Sequence, residues 1–214
     1  MTAIRTRRHQ RGFTLTELLV GIALWSVFML AVYGFYDSSL RTYSAHQNQS
    51  LAQDQARVAM NALTSQLRQT VSPDNGITPP VVVLSPTEIE FYADMSRSIN
   101  ELVPKPEEFL YQITNGNLVR QIAQPVGASP PYSYGAFSSP DTLITSIANG
   151  TSAPLFSAVN EEGVALGASI AAPATVGISL ITVNMLVGYA IGNSTAQFAL
   201  RTDIAPLNPT AGNS

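Results

Sequence analysis

The chain has 214 residues, of which 11 are Lys or Arg, 14 are Asp or Glu and none is Cys, and only 12% are charged. This length fits one modest domain, or a small domain with an appendage. Without Cys, a disulfide framework and a thiolate metal site are excluded, and two His leave little room for zinc chemistry.

The net charge of −3 is unevenly distributed. The first eleven residues contain no acid and four basic residues, namely Arg5, Arg7, Arg8 and Arg11. From residue 13 onward, 7 basic residues stand against 14 acidic ones, which gives a charge of −7. Since a nucleic-acid-binding protein needs a basic footprint, no nucleic acid partner is expected for this body.

An uncharged apolar segment occupies residues 18–36. At a rise of about 1.5 Å per residue, a helix of this length measures roughly 28 Å, close to one hydrocarbon core. The segment exceeds the apolar region of about 7–15 residues in a secretory signal peptide. With the arginines on its N-terminal side, it predicts a transmembrane helix with a cytoplasmic N-terminus and an exported body.

Glu17 lies at the N-terminal edge of this apolar segment. One interpretation is an acid favoured by the helix macrodipole, with no further role. The other is a carboxylate that awaits a partner charge, because an unpaired acid at mid-membrane costs about 2.5–3.5 kcal/mol. Near the interface the cost is lower, so energy alone leaves both interpretations open.

The helical pattern continues beyond the membrane segment, with neither Gly nor Pro in residues 38–71. Polar residues, including Gln66 and Arg68, are assigned to the solvent side. The apolar stripe of this amphipathic helix consists of Ala56, Met60, Leu63, Leu67 and Val71. Residues 72–76, SPDNG, end the helix. We therefore predict one helix of over fifty residues, whose stripe packs against a following domain.

Residues 12–20, GFTLTELLV, resemble the N-terminal signature of type IV prepilins and type II secretion pseudopilins. The resemblance implies that a prepilin peptidase cleaves after Gly12 and N-methylates the new N-terminus, Phe13. It also implies that Glu17 serves subunit assembly by meeting the N-terminal ammonium of a neighbouring subunit. Such a pair satisfies the rule that buried charges need a partner.

Beyond residue 76 the pattern alternates as in β-strands. Ile89, Phe91 and Ala93 are predicted on one face of a strand, and residues 107–124 are predicted as a hairpin around the turn signal Asn115-Gly116. Further strands are predicted over residues 176–187 and 195–204.

Three parts of the body give less definite signals. Residues 125–139 are rich in Pro, Gly and Ser and are predicted as a loop or a disordered excursion. Residues 140–148 fit either a short helix or a strand. The turn at residues 160–163 is acidic, but no calcium site is assigned to it because it lacks EF-hand spacing.

The body resembles minor pilins and J-type pseudopilins in the order of its strand-like segments, from EIEFYAD to FALRTDI. The fold class expected is α+β: a long N-terminal α-helix, membrane-spanning in its first half and amphipathic in its second, packed on an antiparallel β domain. The expected divisions are a cleaved basic leader, 1–12, a helix, 13–71, an exported β-rich domain, 77–205, and a polar tail, 206–214.

No catalytic motif is found. His9 and His46 have no local partners for a catalytic triad, so no catalytic residue, metal or cofactor is assigned. The expected function is that of a minor pilin, a structural subunit incorporated in a type IV pilus or priming its assembly. The alternative is a J-type pseudopilin of type II secretion, and a DNA-capturing competence pilin is disfavoured by the charge. The partners implied are prepilin peptidase, other pilins or pseudopilins through the helix, and the inner membrane.

Overall fold

The computed structural model describes residues 14–74, 76–95 and 105–206. It contains one long helix, α1 (Leu15–Arg68), followed by antiparallel β-sheets, which confirms the predicted α+β class. Contacts divide the chain into two compact units, Met1–His46 and Gln47–Ser214. The first unit contains the start of α1, and the second contains the rest of the helix and all of the described strands.

The second unit contains eleven described strands. They are β1 (Val81–Ser85), β2 (Glu88–Ala93), β3 (Glu107–Thr114), β4 (Asn117–Ala123), β5 (Pro125–Val126), β6 (Ser133–Tyr134), β7 (Asp141–Ile144), β8 (Phe156–Val159), β9 (Ile170–Ala171), β10 (Leu180–Ile191) and β11 (Ser194–Ile204). Their order is β7-β4-β3-β2-β1-β9 in a six-stranded sheet and β11-β10-β8 in a three-stranded sheet, with β5 and β6 forming a separate pair. All of these pairings are antiparallel.

The last third of α1 supplies one wall of a single hydrophobic core. Its buried apolar residues are Ala56, Ala59, Met60, Leu63 and Leu67, so the predicted stripe is confirmed within the helix. Opposite them, β2 and β3 contribute the stacked rings of Phe91, Phe109 and Tyr111. The last member of the stripe, Val71, lies past the helix end, where its N–H donates to the carbonyl of Tyr92.

Gln66 was assigned to the solvent side, and that assignment is wrong. Gln66 is only 6% exposed, and its Oε1 accepts a hydrogen bond from the Tyr111 hydroxyl at 2.5 Å. Burial raises the pKa of Tyr111 to about 12, which keeps this phenol protonated as a donor. A buried polar group is stable when it is hydrogen-bonded, so the amide can occupy the core-facing side of the helix.

Two tight hairpins set the strand register. β3 and β4 meet at Asn115-Gly116, where φ is positive at both residues (52° and 74°), as a type I′ turn requires. This confirms the predicted hairpin. β10 and β11 meet at Gly192-Asn193, where only the glycine has positive φ (56°), as in a type II′ turn. From that turn the two strands stay in register over eleven residue pairs.

Three segments differ in detail from the prediction. Residues 125–139 include the paired strands β5 and β6, so the disordered interpretation is wrong. Residues 141–144 form a strand on the edge of β4, which rules out the helical alternative for that stretch. The strand predicted from residue 176 begins at Leu180, because residues 174–177 form a 3₁₀ turn.

Asn149 hydrogen-bonds to β10 where the chain crosses from one sheet to the other. The chain leaves β7 in the six-stranded sheet and runs beside β10. There the side-chain amide of Asn149 makes the hydrogen bonds to β10 that the backbone of a neighbouring strand would make. Its Oδ1 accepts from the N–H of Leu186, and its Nδ2 donates to the carbonyl of Asn184, both at 2.7 Å. The residue is only 9% exposed, so these two backbone groups have little access to water.

We predict that Asn149→Ala lowers the free energy of unfolding by about 2–3 kcal/mol, because it leaves the N–H of Leu186 and the carbonyl of Asn184 without partners. Chemical denaturation of the detergent-solubilised chain measures this. The matched control is Asn48→Ala, whose amide makes one exposed 3.3 Å bond to Ala190. The control is expected to stay within about 0.5 kcal/mol. Equal losses in the two variants would contradict the bridging role.

Candidate assembly site at the start of the helix

The helix begins with a capping box formed by Thr14 and Glu17. The Thr14 hydroxyl oxygen accepts from the N–H of Glu17 at 3.3 Å. In return, Oε2 of Glu17 accepts from the N–H of Thr14 at 3.0 Å and from its hydroxyl at 2.9 Å. The carbonyl of Thr14 accepts the first helical bond, from the N–H of Leu18. This reciprocal arrangement satisfies backbone donors that a helix start otherwise leaves free.

The capping box bears on both interpretations of Glu17. The carboxylate has a local task at the first turn, where an acid is also favoured by the helix dipole. It is nevertheless solvent-exposed, and its bonds to Thr14 use a single oxygen, Oε2. A carboxylate offers two oxygens with about four acceptor sites, so the capping role leaves room for a second, charged donor.

The helix of the first unit exposes apolar side chains on all sides. Leu18 is 57% exposed, Trp25 60% and Phe35 78%. By length and composition this helix could cross a membrane, and none of its most apolar stretch is buried within the described chain. Isolated soluble proteins rarely expose contiguous apolar surface on this scale. Such a surface calls for lipid or for neighbouring apolar helices.

The one serine within this apolar segment has its hydroxyl satisfied by the helix itself. The side chain of Ser26 donates to the carbonyls of Ile22 and Ala23, each at 2.9 Å. In hydrocarbon, where water is absent, a polar group needs such an internal partner. The segment therefore suits a helix that is surrounded by apolar groups.

Of the predicted site residues, the structure describes Glu17, whereas Gly12 and Phe13 lie outside the described residues. The leader, residues 1–12, and most of the polar tail also lie outside them. Sequence reasoning missed Thr14, although Thr14-Leu15-Thr16-Glu17 has the T-x-x-E spacing of a capping box.

The exported unit carries a second group of ionisable side chains, on the outer face of β2 and β3. Glu108 is buried and lies directly opposite Tyr92, with Glu90 diagonally adjacent. Burial raises the pKa of Glu90 to about 7, and the charge and hydrogen bond of Glu108 add to the rise, as does the charge of Glu88. Glu90 is therefore the carboxyl that holds a proton near neutral pH.

The β5–β6 pair packs beside this group through Tyr134. The ring of Tyr134 packs on that of Tyr92 at 5.0 Å between centroids, and its hydroxyl donates to the carbonyl of Pro106. Burial raises the pKa of both tyrosines. Within residues 14–74, 76–95 and 105–206, no group of three His, Cys, Asp or Glu is placed to hold a metal ion, and we assign the Glu90–Glu108 pair no ligand.

We predict that Glu90 makes the exported domain less stable as pH rises from about 4.5 to 7. Its raised pKa means that the folded state keeps the proton while the unfolded state loses it, so the contribution of this carboxyl group to stability is fully present below 4.5 and is lost as pH rises to 7. Glu90→Gln should remove this dependence. Compared with the unchanged chain, the variant should gain about 1 kcal/mol more stability at pH 8 than at pH 5. This figure is smaller than for a fully buried carboxyl group because Glu90 is half-exposed. Denaturation midpoints at the two pH values measure it. The control is Glu162→Gln in an exposed turn, and a parallel shift in both variants would refute the assignment to Glu90.

A family model for the prokaryotic N-terminal methylation motif matches residues 7–33. The matched stretch includes the second half of the basic leader, Gly12-Phe13, the capping box and most of the apolar segment. It supports a type IV prepilin-like protein, of a family that is structural rather than enzymatic, and implies processing by prepilin peptidase and assembly with other pilins. Together with the long apolar helix, the match supports a protein of the pilin or pseudopilin type that is anchored in the inner membrane.

Proposed function

We propose that the chain is a minor pilin: a structural subunit that is cleaved after Gly12, methylated on Phe13 and incorporated in a type IV pilus or used to prime its assembly. In the membrane, residues 18–36 span the bilayer and the β-rich domain is exported. In the filament, the same apolar segment packs among the helices of neighbouring subunits, and Glu17 pairs with a neighbour's N-terminal ammonium.

The observation that carries this proposal is an apolar helix that is exposed on all sides and begins with an acidic residue, Glu17, in a capping box. Lipid and a bundle of like helices are the two environments that cover such a surface. An ammonium brought into either environment needs a counter-charge, since an unpaired charge in a low-dielectric medium is very costly. Glu17, hydrogen-bonded to Thr14 at the first turn, would supply that counter-charge.

The exported domain is suited to display on the outside of a filament or to contacts with other molecules. Its core is complete without the first unit, because every residue of the core cluster lies in the second unit.

The order of the strands also suits a J-type pseudopilin of type II secretion. A deletion strain decides between a pilus and a secretion system. Loss of pilus-dependent motility indicates a pilus, whereas retention of secreted enzymes in the periplasm indicates type II secretion.

We predict that Glu17→Gln reduces filament incorporation at least about tenfold while leaving the protein processed and in the membrane, because it leaves a buried ammonium without its counter-charge. The glutamine is the informative replacement, since a capping box accepts Gln in place of Glu. Filament and membrane fractions are quantified by immunoblot. Glu17→Ala, which removes both cap and charge, should behave similarly.

The matched control is Thr14→Ala, which removes the threonine half of the cap and keeps the carboxylate. It should cost the helix start about 1 kcal/mol and should leave most incorporation intact. If Glu17→Gln assembled normally while Thr14→Ala did not, Glu17 would act through the cap, and its proposed pairing with a neighbour's ammonium would be disproved.

We further predict that the mature protein begins with N-methylated Phe13. Mass spectrometry of the N-terminal peptide from the membrane fraction measures this directly, and Gly12→Arg serves as the unprocessed control. An intact Met1, or cleavage at another bond, would contradict the prepilin assignment.

A further inference from the structure

The outer edge of β11 is a long strand edge that pairs with none of the described strands. β11 has eleven residues, pairs with β10 on one side only and contains neither Pro nor a register shift. At about 3.4 Å per residue it extends roughly 37 Å. Among the described strands none lies on its other side, since β11 is the last member of its sheet.

The hairpin geometry identifies the backbone groups at this edge. A two-residue turn is closed by a pair that exchanges both hydrogen bonds, in this hairpin Ile191 and Ser194, and the bonding then alternates along the strands. The other side of β10 shows the same alternation, because there the N–H of Gly188 donates to Ser146. The outward N–H and C=O groups of β11 therefore belong to its odd-numbered residues, beginning with Thr195, Gln197 and Ala199.

The other sheet edges in the described chain are short or covered. β7 has four residues, begins after Pro140 and carries an ion pair between Asp141 and Arg120. β9 has two residues. β8 is covered on its outer side, where the N–H of Leu166 donates to the carbonyl of Ala158 at 2.9 Å. Proteins use such devices to prevent edge pairing, and residues 194–200 of β11 lack them.

The side chains of β11 also favour an added strand. Residues 194–200 carry no charge, and the first charges, Arg201 and Asp203, lie 3.6 Å apart and neutralise each other. On the core side, Phe198 and Leu200 are only partly buried because β11 is the last strand. A neighbouring strand with apolar residues at alternate positions would cover what remains exposed of these two side chains.

We propose that β11 is an interaction edge that accepts an extended strand from the exported domain of a different subunit in the same filament. This inference rests on the proposed function. Pairing would use the outward backbone groups of residues 195–199, as in β-strand addition, and the incoming strand would place apolar side chains beside Phe198 and Leu200.

The symmetry of a filament argues for a different subunit rather than a second copy. If two copies pair through the same β11 edge, a two-fold axis relates them. Subunits in a polar filament all point the same way, so a two-fold pair does not fit. The other described strand edges of this chain are short or covered, so a second copy offers no matching strand through them either, and the occupant is a strand of a different subunit.

The test is amide hydrogen exchange, read by residue, of the full chain in detergent micelles and in filaments formed with its companion subunits. We expect the amides of Thr195, Gln197 and Ala199 to exchange at least about tenfold more slowly in the filament. Gln197→Lys combined with Ala199→Lys should abolish this slowing, because lysine on an edge blocks pairing. The matched control places two lysines at Thr151 and Ser152 in an exposed loop and should retain it.

Each other outcome refutes a defined part of the proposal. Incorporation of the chain with unchanged exchange at these three amides would overturn the edge pairing and leave the proposed function standing. Absence of the chain from filaments would overturn both the edge pairing and incorporation in a pilus. A third outcome is slower amide exchange at these residues in micelles without companion subunits, in proportion to the concentration of the chain itself. That result would show self-pairing and overturn the assignment to a different subunit.

Discussion

The rest of this structure depends on one constraint: the first half of α1 has an apolar surface that residues 14–74, 76–95 and 105–206 do not cover. Fully burying one large aliphatic side chain is worth about 1.5–3 kcal/mol, and the first half of α1 exposes many of them. This half therefore requires lipid or other helices at every stage. The last third of α1 needs cover on one side only, and the β-sheets provide it. One helix thus serves two environments.

Within the exported domain, two buried amides fix how the elements join. Gln66 connects α1 to β3 through the hydroxyl of Tyr111, and Asn149 completes the hydrogen bonding of β10 beside the crossing from one sheet to the other. Apolar packing alone tolerates small shifts between elements, whereas a buried amide without its partner is penalised. In a chain without Cys, these hydrogen bonds supply a specificity that many exported domains obtain from disulfides.

Local periodicity explains what could be predicted from the sequence. The long helix, its stripe and the Asn115-Gly116 hairpin depend on residues near one another in the chain, so spacing revealed them. Gln66 was misplaced because its partner Tyr111 lies 45 residues away, and no local pattern reveals such a contact. The start of β10 was misjudged because an apolar run does not distinguish a strand from the 3₁₀ turn before it. At the site, Glu17 stood out as a lone acid, whereas Thr14 acts only through a bond that needs the folded turn.

The capping box also affects how reversible assembly can be. Its hydrogen bonds engage Oε2 of Glu17, so an incoming ammonium at the other oxygen need not displace Thr14. The first turn would then have the same backbone conformation in the free and the assembled subunit. Joining and leaving a filament would require exchange of one ion pair rather than refolding of the helix start. Subunits could return to the membrane pool intact and be used again.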